Sequence, residues 1–243
     1  MIEAPVGWLC PVCAREGRQP ARVRSLGAPP RVTYALLGLI AAGFVAQVTL
    51  DGDTLAVTAR LATWGLAIDL NGEWWRVITG GFVHSTGNLL HVLFNGYLLY
   101  RLGQLMEPAL GPARFGALYF TSLVGGSLGA VVLAPTSPAI GASGAVFGLM
   151  GALLVVYRQR GLNPFRTDIG TLLLLNLVIT FVVPRISIGG HIGGLVAGAI
   201  VGALYVRMAR TPDARLLSAQ LAVGLGLVLW IGTVVAAGAL IQI

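Results

Sequence analysis

Lysine is missing from this 243-residue chain, and charge of either sign is scarce. Charged residues make up 10% of the sequence, where a soluble domain carries about 25%. That shortage, beside a hydrophobic content of 56%, excludes an ordinary water-soluble enzyme. The net charge of +7 comes from 16 Arg against nine acidic residues. Those Arg are distributed along the chain as loop charges of a membrane protein would be, so nucleic acid is excluded as a partner. Cysteine is limited to Cys10 and Cys13, which excludes a disulfide framework, and reduced cytosolic thiols exclude a structural bridge between the two. A single C-x-x-C is half of a four-ligand zinc site. It reads as an exposed cytosolic pair, with a zinc shared between two chains, or a redox pair, as alternatives. The first 30 residues also lack the early apolar region of a cleavable signal peptide, so the first apolar span is expected to act as the targeting signal.

What the chain has instead is long apolar runs. Seven can be drawn, at 32–50, 88–106, 113–133, 143–157, 169–183, 190–208 and 219–241. A spanning helix needs about 20 such residues, and most runs qualify, the fourth and fifth being short. The chain therefore divides into a basic, mobile cytosolic leader (1–31), a six-span unit (32–208), and a linker with a seventh span (209–243). Orientation follows from Arg, which accumulates on cytoplasmic loops. A cytoplasmic N-terminus places thirteen Arg inside and leaves Arg60, Arg76 and Arg185 outside. The C-terminus is then outside. The first outer connection, 51–87, is long and carries Trp64, Trp74 and Trp75. Trp favours the membrane interface, and short helices lying partly in the outer leaflet are expected there.

Polar residues inside such runs are functional by default. Ser143 and His191 each stand in a Gly-rich start of an apolar run: Gly141-Ala142-Ser143-Gly144 and Gly190-His191-Ile192-Gly193-Gly194. A hydroxyl with a base is a nucleophile pair. Glycines at 144, 148 and 151, and at 194, 198 and 202, form stripes that let helices approach closely. If the two stripes meet, Ser143 and His191 meet at their outer ends. Arg158 and Arg160 fix the inner end of the fourth span. Fourteen steps from Tyr157 to Ser143 cover roughly 21 Å, so the hydroxyl lies about 9 Å beneath the outer boundary of a bilayer about 30 Å thick. The irregular stretch 135–142 must dip to reach it, which is tolerated only inside protein or beside a wet cavity. No acidic residue lies in the outer halves of spans four to six, so the pair would be a dyad without a triad's carboxylate. It is also not a G-x-S-x-G elbow, because position 145 is Ala. Acyl transfer further needs oxyanion donors. His91 and Asn95, four residues apart on one face of the second span, and the Ser143 amide are the candidates.

Together these residues resemble the rhomboid intramembrane serine proteases. The match rests on Trp75-Arg76, the H-x-x-x-N of His91 and Asn95, Gly141 to Gly144, and His191 followed by Gly194 and Gly198. It covers about residues 32–208. The resemblance implies an all-α membrane fold, a six-helix core plus a seventh C-terminal helix. It implies Ser143 as nucleophile, His191 as general base, and His91 and Asn95 in an oxyanion hole supported by Gly141 and Gly144. Phe147, where many relatives have Tyr, would still stack on His191. Trp75 and Arg76 would shape the first loop, and Glu107 would steady it. His84 has no assigned role beyond loop structure. The absence of Lys points to GC-rich coding and so to the plasma membrane of a bacterium. The implied activity is cleavage of transmembrane segments of other membrane proteins near the outer face, without metal or organic cofactor. Its alternative is a catalytically inactive rhomboid-like escort of transmembrane helices.

Overall fold

The computed structural model describes residues 2–4, 7–9, 29–51, 55–184, 186–209 and 214–241. Strands β1 (Ile2–Ala4) and β2 (Gly7–Leu9) pair antiparallel, Ile2 opposite Leu9. Cys10 and Cys13 lie outside the described residues, as does Arg185. The rest is helical: α1 (Arg31–Leu50), α2 (Ala56–Leu61), α3 (Gly65–Asn71), α4 (Arg76–Thr79), α5 (Leu89–Leu110), α6 (Pro112–Leu133), α7 (Ser143–Gln159), α8 (Asp168–Val182), α9 (Ile188–Met208) and α10 (Ala214–Ile241). Apart from that strand pair, the described residues form a helical membrane fold. Among the described residues, α1, α6, α9 and α10 are long and apolar enough to cross a bilayer. Helices α7 and α8 are apolar but shorter, and α5 is as long as α6 but carries His91, Asn95, Arg101, Gln104 and Glu107.

Helix α7 is the centre of the bundle. Every residue from Gly144 to Leu153 is buried, which is why its sequence is apolar all round rather than on one face. Helix α9 packs along α7 on one side and α6 on the other, α10 packs along α6 and α3, and α1 packs against α5. The glycine stripes do meet. A Cβ on Gly194 would collide with the Gly144 carbonyl, one on Gly198 with the Gly148 backbone, and one on Gly202 with Ala152. Close approach of α7 and α9 is thus set by the absence of side chains along a shared seam. The last helix is joined to the bundle by specific bonds. Thr121 Oγ1 donates to the Ala222 carbonyl at 2.7 Å, and Trp230 Nε1 donates to the Trp74 carbonyl at 3.3 Å.

The apolar pattern suggests that α5 ends at Met106. It continues to Leu110 with Pro108 inside its last turn, where the missing N–H costs the bond to the Gln104 carbonyl and only Ala109 and Leu110 follow. Glu107, inside that extension, does not steady the first loop. It lies sixteen residues past His91, about 24 Å along the helix, and its carboxylate caps α1. Glu107 accepts from the Val32 and Thr33 amides at 2.9 and 2.8 Å and from Thr33 Oγ1 at 2.7 Å. Helix α1 has no side-chain cap of its own, and a carboxylate at a helix N-terminus meets both orphan donors and the positive end of the dipole. Glu107→Ala strands these buried donors and is expected to destabilise the fold by about 1–3 kcal/mol. The measurement is Tm in detergent, and an unchanged Tm would contradict the capping role.

Candidate active site

Ser143 is the first residue of α7, and the loop before it is tied down from two sides. Thr63 and Ala139 exchange backbone bonds of 2.9 and 2.8 Å, and the Gly141 amide donates to the Gly80 carbonyl at 2.9 Å. Gly141 has φ +112°, a conformation that L side chains rarely adopt. The anchoring residue Thr63 is held in turn by the first connection, where its Oγ1 donates to the Arg76 carbonyl at 2.9 Å. Arg76 is buried. It pairs with Glu73 and donates to the carbonyls of Ala59 and Ala62 at 2.6 and 3.0 Å. One guanidinium on α4 thus joins the end of α2 to Glu73, just past α3, in a connection that forms short helices as its tryptophans suggest. Trp75 is exposed, packs edge-on against Trp74, and opens α4 through its carbonyl.

His191 stands in the first turn of α9, whose N-cap Ser187 accepts from the Gly190 amide at 3.1 Å. With α7 and α9 in contact along their glycines, His191 Nε2 lies 2.8 Å from Ser143 Oγ. That is proton-transfer distance. Phe147, one turn along α7 from Ser143, stacks on the imidazole with ring centres 4.1 Å apart and planes 17° from parallel. The other ring nitrogen, Nδ1, lies 2.6 Å from Thr180 Oγ1 on α8.

His91 and Asn95 approach from α5. His91 Nδ1 accepts from the Ser85 amide at 3.3 Å, which leaves its proton on Nε2. A methyl group at Gly141 would fall 2.7 Å from that Nε2 and 3.9 Å from Asn95 Nδ2. Both donors therefore sit against the Gly141 backbone, two residues before Ser143. Asn95 Nδ2 spends one proton on the His91 carbonyl at 2.8 Å and has a second to give. No side chain caps α7, so its first-turn amides carry the positive end of the helix dipole unshielded. A cavity of about 330 Å³, counting its open mouth, reaches Ser143 between Thr63, Gly80, Ser127, Gly141, Ser187 and Gly190. Among the described residues no group of three His, Cys, Asp or Glu could hold a metal. The constellation is a hydroxyl within hydrogen-bond reach of an imidazole, with convergent N–H donors beside a small cavity, an arrangement that could serve acyl transfer.

The family model described as Rhomboid domain matches residues 71–208, more than half of the chain, with both Ser143 and His191 inside the match. The chain belongs to the rhomboid family. Rhomboid protease GluP of Bacillus subtilis (strain 168) is 34% identical over 203 residues, 81% of this chain and 39% of that protein. Rhomboid-like protease 1 of Toxoplasma gondii is 34% identical over 129 residues, 50% of this chain and 43% of that protein. Inactive RHOMBOID-like protein 8 of Arabidopsis thaliana is 34% identical over 114 residues, 47% of this chain and 32% of that protein. The chain spans less than half the length of each of these three relatives.

Four residues around this rhomboid site have no part in the motif reading. Glu73, not Glu107, is the acid that pairs with Arg76 in the first loop. His84 is fully buried, its Nε2 accepting from the Ala142 amide at 3.3 Å and its ring 5.0 Å from that of His91. Gln47 clamps His84 by its main chain, donating to the carbonyl at 2.7 Å and accepting from the amide at 2.8 Å. Thr180 is the fourth. Gln47 is the one amide in a run whose other polar side chains are hydroxyls, which was a local signal, whereas Thr180 shares its run with Thr171 and Asn176 and nothing local singles it out.

Proposed function

We propose that this rhomboid is an intramembrane serine endopeptidase that cleaves transmembrane segments of other membrane proteins near the outer face of the plasma membrane. The observation that carries the reading is the 2.8 Å approach of His191 Nε2 to Ser143 Oγ, between two apolar helices with no other reason to bury a facing hydroxyl and imidazole. In the first step Ser143 Oγ bonds to the scissile carbonyl carbon while its proton moves to His191 Nε2. The oxyanion is met by His91 Nε2–H, the free Asn95 Nδ2–H and the Ser143 amide. Collapse breaks the C–N bond, and His191 returns the proton to the leaving amine. Water then attacks the acyl-enzyme, giving its proton to the same nitrogen and releasing the acid and free Ser143. The small-residue walls of the cavity suit a small side chain at the cut. The substrate helix must unwind locally, because its own hydrogen bonds shield the carbonyl.

Arg distribution supports a cytoplasmic N-terminus, with Ser143 and His191 toward the outer side. The bacterial relative GluP supports a bacterial plasma membrane. The escort reading, suggested by a relative named inactive, needs neither Ser143 nor His191, and both are present. Asn95→Ala removes one oxyanion donor and is expected to lower turnover roughly 10²–10³-fold. A variant within twofold of wild type would reject that role. The function itself is tested by membrane proteomics of a deletion strain carrying either the wild-type or the Ser143→Ala gene. Soluble ectodomain fragments are expected with wild type alone, and identical fragment profiles would favour the escort.

A further inference from the structure

We infer that Thr180 is the positioning residue of the Ser143–His191 pair: its hydroxyl oxygen accepts the Nδ1 proton of His191 and so keeps Nε2 unprotonated and facing Ser143. The inference rests on the protease reading above. Thr180 lies in the last turn of α8, on the stripe of that helix that faces the bundle. Leu173, Asn176 and Thr180 are buried, while Leu174, Leu175, Val178 and Phe181 are exposed. Its Oγ1 lies 2.7 Å from the Asn176 carbonyl oxygen and 2.6 Å from His191 Nδ1.

These two contacts decide where the imidazole proton sits. A hydroxyl has one proton to donate and lone pairs to accept with. The Asn176 carbonyl can only accept, so the Thr180 proton is committed to it. The short contact to Nδ1 is then a hydrogen bond only if Nδ1 is the donor. A neutral imidazole carries one proton, so Nε2 is left with the lone pair that the Ser143 hydroxyl needs. The relay runs Ser143 Oγ–H to His191 Nε2, His191 Nδ1–H to Thr180 Oγ1, and Thr180 O–H to the Asn176 carbonyl. The opposite tautomer would put a proton on Nε2 and point it at Ser143, disabling the base.

Division of labour follows. Phe147 fixes the plane of the ring from its face, and Thr180 fixes its rotation from the edge. In a serine triad a buried carboxylate holds the tautomer. Here a carboxylate would be a charge at membrane depth, which is expensive. A neutral hydroxyl anchored on a helix carbonyl sets the same tautomer without it. When the Ser143 proton arrives on Nε2, the Nδ1–H bond to Thr180 becomes charge-assisted and strengthens. No proton leaves Nδ1 during the cycle.

The chain has three histidines, so the tautomer can be read directly. Full-length protein is labelled with ¹⁵N-histidine in nanodiscs, with the His191 signals assigned by their loss in His191→Asn. Wild type is expected to show the proton on Nδ1. Thr180→Val, of similar shape, is expected to move it toward Nε2. It should also lower the saturating rate of Ser143 modification by a fluorophosphonate about 10²-fold, within the range general-base catalysis supplies, with KI unchanged. Thr180→Ser should restore both the tautomer and, to within about threefold, the rate. A wild-type proton on Nε2 overturns the inference without any variant, as does Thr180→Val with wild-type tautomer and rate. Failure of Thr180→Val to fold leaves the wild-type and Thr180→Ser spectra to decide. Labelling that survives Ser143→Ala would instead sink the protease reading. Ser143-dependent labelling with an indifferent Thr180→Val sinks the Thr180 assignment alone.

Discussion

Ser143→Ala is expected to abolish covalent labelling by a fluorophosphonate in the purified, folded protein. The reagent forms an Oγ–P bond as fluoride leaves, and it selects hydroxyls whose proton has somewhere to go. Ordinary serines are poor nucleophiles because deprotonation is unfavourable. Ser122, Ser127 and Ser218 are buried, but Ser127 and Ser218 donate to backbone carbonyls, and among the described serines only Ser143 bonds to His191, at Nε2. The loss should therefore be complete rather than partial, and the alanine variant should keep its Tm, because one small hydroxyl beside a cavity is removed. His191→Asn should lose the same label by removing the base while leaving the nucleophile. Equal labelling of Ser143→Ala and wild type would show that another hydroxyl is the reactive one, and the proposed chemistry would fail.

Gly198→Val should have the largest effect on the fold. A side chain at Gly198 meets the backbone of Gly148, and neither helix has a flexible side chain at that point that could yield. The helices must separate or shift. Overpacking of this kind costs about 1–3 kcal/mol or more, which lowers Tm on the order of 5–10 °C for a chain of this size. Gly198 is two turns from His191 on α9, and Gly148 is more than one turn from Ser143 on α7. Separation there opens the 2.8 Å contact, so labelling should fall together with Tm. Gly224 on α10 is the control, since nothing lies within 4 Å of a Cβ added there, and Gly224→Val should leave both nearly unchanged. A Gly198→Val protein with wild-type Tm and labelling would mean the glycine seam does not set the helix spacing.

Much of this rhomboid is legible in the linear chain for reasons that differ by element. Among the described residues, the helices of the bundle were readable because lipid demands apolar runs and internally satisfied backbone. The first connection announced its short helices through its tryptophans. Ser143, His191, His91 and Asn95 stood out because polar groups in such runs are rare enough to need a reason. Glu107 shows the limit of that logic. Its carboxylate was conspicuous, but its partner was the N-terminus of α1, 74 residues away in sequence, and no local pattern records which helix end a carboxylate will meet. Pro108 shows another, since a helix breaker near a helix end need not break it.

Composition and spacing alone determined that the chain is a multi-span membrane protein with a serine, a histidine and glycine stripes at the starts of two of its helices. Only the tertiary structure decided that the stripes interlock, because contact between two helix faces depends on every other helix packed around them. Only it decided that Arg76, through Thr63 and Ala139, anchors the loop before Ser143, and that a threonine on a third helix takes up the far nitrogen of His191. These are relations between atoms far apart in sequence. Each hydrogen bond requires placement within a few tenths of an ångström, and such precision belongs to a packed interior rather than to any run of residues.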